Sequence, residues 1–413
     1  MINNLSDKAK KNKQSISPIR QIMSYADSEY IRNLGIDPEE LISYAGGWVN
    51  HDSPEELRKA YNNIISDKNL FYKSGAYPPS LGNPDFKRAI IDFENHIYGM
   101  EGLYESNIAV GLGSTQIAMN LFQVLLNPGD KILLLDPSYC NYPMQILTGI
   151  MDVEIMRYPV IDEQNWQYIA EEKLDNFCDF IHQNKPKIVL LVSPDNPTSK
   201  ILSTNFVKST LSAIQDINGF LIVDYAYKEI VFDMNYPEYF SWGPNDNYIS
   251  LRTNSKWCRG MGRRLGWIEA PEFIIESLDS FQNSTILCPD MLHQMALTEY
   301  IKNSINNNTL LPYLMKMNEL YKHAADRTIR SIKTYLDYPV FIPDGGIYTI
   351  ISIDRDGAEF VDQILKNTGV LCVPGWGFGR SLNQAVRISY GPLVNELEKI
   401  ELGFKKIAAF LKK

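Results

Sequence analysis

The strongest constraint in this sequence is a repeating alternation between Ile108 and Trp267. Short apolar runs, each long enough for one strand, are separated by amphipathic stretches with a helical period. The runs are 108–111 (IAVG), 131–135 (KILLL), 187–192 (KIVLLV), 220–223 (FLIV) and 248–251 (YISL), and 115–126 reads as a helix. A strand with one face in water alternates apolar and polar residues, whereas a near-continuous apolar strand must be covered on both faces. The intervening helical segments supply that cover. The expected class is therefore α/β, with a mostly parallel sheet and helices on both faces.

At 413 residues the chain exceeds one ordinary core. After about Met291 the pattern changes to a long helical stretch (289–331), strand-like 340–342 and 347–353, and a terminal helix (393–411). The expected division is an N-terminal arm and part of a small domain (1–50), a large domain (51–290) and a small α+β domain (291–413). Lys and Arg total 40 against 49 Asp and Glu, a net charge of −9, which disfavours non-specific binding to nucleic acid or anionic membrane. A local positive pocket for a small anion stays compatible with that balance. The cysteines Cys140, Cys178, Cys258, Cys288 and Cys372 form no C-x-x-C pair, which argues against a disulfide framework or a zinc site and fits a reducing cytoplasm. No apolar run approaches the ~20 residues that span a bilayer. The lysines near the N-terminus precede no apolar stretch, so no secretory signal is expected.

In an open parallel sheet, ligands bind beyond the carboxyl ends of the strands. Five strand ends carry polar or aromatic side chains: GSTQ (113–116), DPSY (136–139), SPDNPT (193–198), DYAY (224–227) and RTNSK (252–256), with Arg264 just beyond. A glycine turn opening a helix exposes free N–H groups, and Ser114 and Thr115 add hydroxyls, so GSTQ suits an anion. Two other readings of GSTQ are a plain helix start and a partial dinucleotide fingerprint. In the latter, Gln116 replaces the third glycine and Asp136 imitates the ribose-binding acid. Lys256 offers an amine for a Schiff base. Asp224 offers the carboxylate that a protonated pyridine nitrogen needs. Phosphate, aldehyde and pyridinium together spell pyridoxal phosphate.

On these residues the chain resembles the class I/II aminotransferases, pyridoxal-phosphate enzymes of fold type I. The resemblance runs in order through 17–22 (SPIRQI), 77–90 (YPPSLGNPDFKRAI), 113–119 (GSTQIAM), 136–142 (DPSYCNY), 193–198 (SPDNPT), 224–230 (DYAYKEI), 255–267 (SKWCRGMGRRLGW), 373–379 (VPGWGFG) and 386–391 (VRISYG). It implies that Lys256 carries the cofactor as a Schiff base and shuttles the proton, and that Asp224 binds the ring nitrogen. It implies Tyr227 and Asn196 on the ring oxygen, Tyr139 stacked on the ring, and Ser114, Thr115, Ser255 and Arg264 on the phosphate. Tyr77 is implied to reach the site of a second copy, making a homodimer with shared sites. Arg387 is implied to clamp the substrate carboxylate, helped by a backbone N–H at Gly46 or Gly47. The implied substrates are an amino acid and a 2-oxo acid, 2-oxoglutarate first.

Some residues depart from the pattern or keep two readings. Ser199 stands where the family has glycine after N-P-T. RTNSK and the extra Arg259 and Arg263 resemble histidinol-phosphate aminotransferases, though both arginines also read as solvated. Trp48, Trp257 and Trp376 read as packing or as substrate contacts, and Tyr139 also reads as core. Cys258 reads as a small buried side chain or an oxidisable thiol, and the five histidines show no catalytic spacing. Two further functions stay open: a lyase, decarboxylase or synthase on the same fold, and an effector-sensing domain of a transcription regulator. Against the regulator, about 50 residues precede the family-like segments, with no helix-turn-helix pattern.

Overall fold

The computed structural model describes residues 4–7, 9–10, 25–150 and 152–412. The SPIRQI segment lies outside the described residues. At the centre is a seven-stranded sheet. Its strands are β1 (Ile108–Gly111), β2 (Lys131–Asp136), β3 (Glu154–Pro159), β4 (Ile188–Val192), β5 (Phe220–Asp224), β6 (Tyr248–Thr253) and β7 (Gly266–Glu269). Their spatial order is β1-β7-β6-β5-β4-β2-β3. β7 is antiparallel to β1 and β6, and the other neighbours are parallel.

Four of the five apolar runs are inner strands of this sheet and the fifth, 108–111, is its edge strand β1. Alternate residues of the inner strands feed two cores. Leu133, Val189, Leu191, Leu221 and Val223 pack with Phe177, Ile181, Phe206 and Val207 of helices Leu174–Asn184 and Thr204–Asp216. Ile132, Leu134, Ile188, Leu190 and Ile222 pack with Ile117, Leu121, Ile274 and Leu278 of helices Gly113–Leu125 and Glu272–Thr285. This double cover accounts for the continuous apolar spelling. β3 and β7 carry no such run. β3 is a partly exposed edge strand, and β7 lies inside the glycine- and arginine-rich segment.

Beyond the sheet, helices Met291–Asn306 and Leu310–Tyr335 replace the single helical stretch expected over 289–331. The break falls where Asn308 adopts φ +55°, a left-handed conformation that asparagine tolerates well. Met291–Asn306 packs on helices Glu55–Ser66 and Pro84–Tyr98. An antiparallel three-stranded sheet follows, with β8 (Tyr348–Ser352) and β9 (Val373–Pro374) flanking β10 (Ala385–Ser389). Residues 340–342, expected as a strand, contribute only a bridge from Val340 to Ile351. The terminal helix starts at Leu397, after a 3₁₀ turn at Gly391–Leu393. Ile42–Ser43 pairs in parallel with Val370–Leu371, which ties the N-terminal segment to the C-terminal part.

Behind the strand ends lies a buried ionic cluster. Three carboxylates (Glu94, Glu229 and Glu269) face two cations (Lys228 and Arg252), all fully buried. Lys228 Nζ donates to Glu94 Oε2 at 2.7 Å, and Arg252 reaches Glu229 Oε1 at 2.8 Å and also pairs with Glu94. Burial opposes ionisation of Glu94, but Arg252 and Lys228 outweigh it and hold its carboxyl below the usual range. Burial and the nearby Glu94 charge push Glu269 up. The sequence placed Arg252 beyond its strand, among the polar residues at the sheet's edge. β6 in fact runs on through Thr253, and Arg252 turns into this cluster instead. Arg252→Met would strand buried carboxylates without their guanidinium. It is expected to cost about 3–5 kcal/mol in chemical denaturation, and a loss under about 1 kcal/mol would mean that the cluster is not holding these strands.

Candidate active site

The carboxyl ends of β1, β4, β5 and β6 open on one cavity of about 230 Å³. Ser114, Thr115, Tyr139, Asn196, Asp224, Tyr227, Ser255, Lys256, Arg264, Arg387 and Gly47 all line it. Gly46 does not line it; it packs under the Trp48 ring, where a Cβ would come within 2.4 Å of that ring. Tyr77 is 83% exposed and also lies outside the lining.

Local structure explains each placement. Helix Gly113–Leu125 begins without a side-chain cap on its first N–H groups, and its first-turn residues Ser114 and Thr115 line the cavity. Gln116 accepts the Leu112 N–H at 2.9 Å, which explains a glutamine in place of a third glycine. Gly113 has φ +80°, and a Cβ there would meet Arg264 Nη2 at 2.6 Å, so glycine lets the guanidinium come down over the turn. Asp136 is not free for a ribose. Its carboxylate accepts the Arg380 N–H at 3.0 Å and the Ser381 hydroxyl at 2.7 Å.

Asp224 ends β5 inside the protein. Its Oδ2 accepts the Tyr142 hydroxyl at 2.7 Å, and its Oδ1 accepts the Ala226 N–H at 2.9 Å. Burial nevertheless pushes its carboxyl up to about 6, against those two donors and the Lys256 charge. Lys256 Nζ donates to the Gly47 carbonyl at 2.5 Å. Burial first, then the charges of Arg387 and Arg264, push this amine down to about 8, with Asp224 opposing. An amine so tuned is partly neutral near pH 7, as a nucleophile or base requires.

Arg387 is fully buried on β10. Its fork donates to Asn196 Oδ1 at 3.0 Å and to the Ala45 carbonyl at 2.9 Å, and its Nε has no partner among the described residues. A buried guanidinium with an unspent donor suits a carboxylate. Tyr227 donates to or accepts from Tyr348 at 2.7 Å, and its ring lies 5.3 Å from Lys256 Nζ. Tyr139 packs edge-on to Tyr142 and faces the cavity as well as the core.

Several lining residues had no site role in the sequence reading, Tyr142 and Tyr348 among them. Tyr142 stands within the DPSYCNY segment, three residues past Tyr139, and that spacing was the signal available. Tyr348 arrives from the distant β8, and no local pattern marks it. Trp257 is core, while Trp48 and Trp376 are partly exposed and outside the lining. Cys258 is buried with its thiol on the Asn254 carbonyl at 3.2 Å, and burial pushes the thiol up, so it is a poor nucleophile.

The raised Asp224 carboxyl has a thermodynamic signature. The folded state holds this proton more tightly than the unfolded chain, so the contribution is complete below the ordinary 3.8 and is lost as pH rises through about 6. Melting temperatures of the cofactor-free protein should fall across that window, and Asp224→Asn should flatten the fall. An unchanged slope in the variant would rule out Asp224 as its source.

The profile described as aminotransferase class I and II matches residues 43–400. An aspartate aminotransferase of Pyrococcus horikoshii is 22% identical over 372 residues, covering 88% of this chain and 90% of that protein. An aromatic-amino-acid aminotransferase of Thermococcus litoralis is 24% identical, covering 87% and 90%. The solved aspartate aminotransferase of Thermus thermophilus with maleate superimposes with a TM-score of 0.83 at 20% identity, covering 98% of this chain and all of that one, which shows a shared fold. The chain belongs to the class I and II aminotransferases, enzymes that work with pyridoxal 5'-phosphate.

Proposed function

We propose that the protein moves the α-amino group of an amino acid to a 2-oxo acid, 2-oxoglutarate first, in two ping-pong half-reactions, with the cofactor held as a Schiff base on Lys256. The observation that carries this reading is the meeting of a half-buried amine, a buried carboxyl and a buried guanidinium in one cavity. The residues fit the cofactor. The uncapped helix start with Ser114, Thr115, Ser255 and Arg264 suits the phosphate, and Asp224 suits the ring nitrogen. When bound, the cofactor supplies an electron sink for negative charge at the substrate α-carbon.

The chain's own residues divide the remaining work. Lys256 would hold the cofactor through its aldehyde and, when its amine is free, would move the proton at the substrate α-carbon. Its depressed basicity keeps a fraction of the amine neutral at physiological pH. A positive ring nitrogen beside Asp224 would restore the ionisation that burial opposes. Tyr227 and Asn196 would donate to the ring oxygen, and Tyr139 would cover the ring face. Arg387 would hold the substrate carboxylate with its guanidinium, assisted by the N–H of Gly47, which lines the cavity where Gly46 does not.

Tyr77 is the residue that calls for a second copy. It lies on the surface with the exposed Phe71 and Tyr72, and a homodimer would cover these aromatics and bring Tyr77 to the partner's cavity. A cytoplasmic setting fits the free cysteines. Aspartate and aromatic amino acids, named for the relatives, are the first donors to test. Nothing in the geometry favours histidinol phosphate. Arg259 bonds Asn50, Arg263 lies over the Tyr61 ring, and neither lines the cavity.

A single-turnover screen of the holoenzyme against amino acids tests the reading. A transaminase should lose the visible absorption of the bound cofactor and release one equivalent of 2-oxo acid, and added 2-oxoglutarate should restore the absorption. Release of ammonia or carbon dioxide with the original spectrum regained would instead identify a lyase or decarboxylase.

A further inference from the structure

Ser199 breaks the family's pattern at a place where the backbone itself asks for glycine. It adopts φ +56°, a left-handed conformation unfavourable to any residue with a Cβ. It is also fully buried. Its hydroxyl accepts the Tyr348 N–H at 3.1 Å, and its carbonyl accepts the N–H groups of Asp344 and Gly345 at 3.0 and 3.3 Å. Gly346 opposite has φ +62°, and a Cβ there would come within 2.8 Å of the Ser199 hydroxyl oxygen. The SPDNPT turn after β4 is therefore fastened through one side chain to the start of β8.

Tyr348, the first residue of β8, touches two groups of the site. Its hydroxyl lies 2.7 Å from the Tyr227 hydroxyl, and its ring lies 4.2 Å from the Arg387 guanidinium carbon. All three side chains are buried, and Tyr348 lines the cavity. Other titratable groups near the pair are Lys256, whose Nζ lies 5.3 Å from the Tyr227 ring, Tyr139 and Cys140. Burial pushes both tyrosine hydroxyls up, so both stay protonated at neutral pH and one must donate to the other.

We propose that Ser199 and Tyr348 are positioning residues that set the Arg387 clamp and the Tyr227 hydroxyl in register across the two sheets. Ser199 fixes the start of β8, the Tyr348 ring supports the guanidinium, and the Tyr348 hydroxyl donates to Tyr227. The proton of Tyr227 is then left to point into the cavity. This rests on the aminotransferase reading of the site. A glycine at 199 would suit the turn better but would leave the Tyr348 N–H without its acceptor, so the serine trades backbone comfort for placement.

Three variants separate these roles. Tyr348→Phe keeps the ring and removes the hydroxyl. The pH midpoint of the bound cofactor's visible absorption should rise by about half a unit to one unit, because Tyr227 then donates less well to the ring oxygen. Tyr348→Leu also removes the ring, and KM for the amino acid should rise about tenfold more than in Tyr348→Phe. Ser199→Gly relieves the backbone but leaves the buried Tyr348 N–H unpaired, two opposed effects of similar size. The melting temperature should therefore stay within a few degrees of wild type, yet KM should rise about 3- to 10-fold and the midpoint should move upward. A Ser199→Gly protein with wild-type KM and midpoint would overturn the proposal, as would an unmoved midpoint in Tyr348→Phe. If the wild-type holoenzyme releases no 2-oxo acid, the functional reading fails first. If it does and the variants match it, only this inference fails.

Discussion

The structure depends on one constraint: a parallel sheet covered on both faces has no room for polar side chains except at its strand ends. Along β4 every residue is buried and apolar, and polarity begins only at Ser193. The same holds along β5, which closes on Asp224, whereas β6 already carries the buried Ser250 and Arg252 before it ends at Thr253. Because these strands run in one direction, their ends gather polar groups at one edge. β7 runs the other way and enters the sheet from that same edge, so Arg264 joins the group from the opposite chain direction.

Charge is then sorted around those ends. The segment after β5 sends Tyr227 to the cavity but Lys228 and Glu229 into the ionic cluster. β6 and its loop do likewise, with Arg252 in the cluster and Lys256 in the cavity. The cluster is closely paired and leaves its cations no surplus for a ligand. The cavity keeps its cations underpaired: Lys256 meets a carbonyl, Arg264 a carbonyl, and Arg387 an amide oxygen and a carbonyl. A protein of net charge −9 thus presents a positive interior site sized for small anions.

Much of this was legible in the sequence, for physical reasons. Continuous apolar strands advertise themselves whether inner or, like β1, at a covered edge, so the five runs were found with errors of at most two residues at their ends. The inner strand β7 stayed hidden in its glycine- and arginine-rich segment. The ligand-facing turns were legible because GSTQ, DYAY and SK concentrate chemistry in a few neighbouring positions. The illegible parts depend on what is distant in the chain. Arg252 read as a strand-end residue because nothing local reveals its partner Glu94, 158 positions away. Tyr348 looked like an ordinary strand residue until the fold set it between Tyr227 and Arg387. The edge strand β3 and the helix break at Asn308 lack the strong periodicity that identified the other elements. Ser199 was visible as a departure, but its meaning lay in an N–H on another sheet.

The central claim is that Lys256 carries the cofactor. Borohydride reduction of the holoenzyme, followed by peptide mapping with mass spectrometry, tests it most directly. The account predicts one phosphopyridoxyl group per chain, on Lys256, and none in Lys256→Ala. A label on another lysine, or no label on a protein that retains the cofactor's absorption, would contradict it.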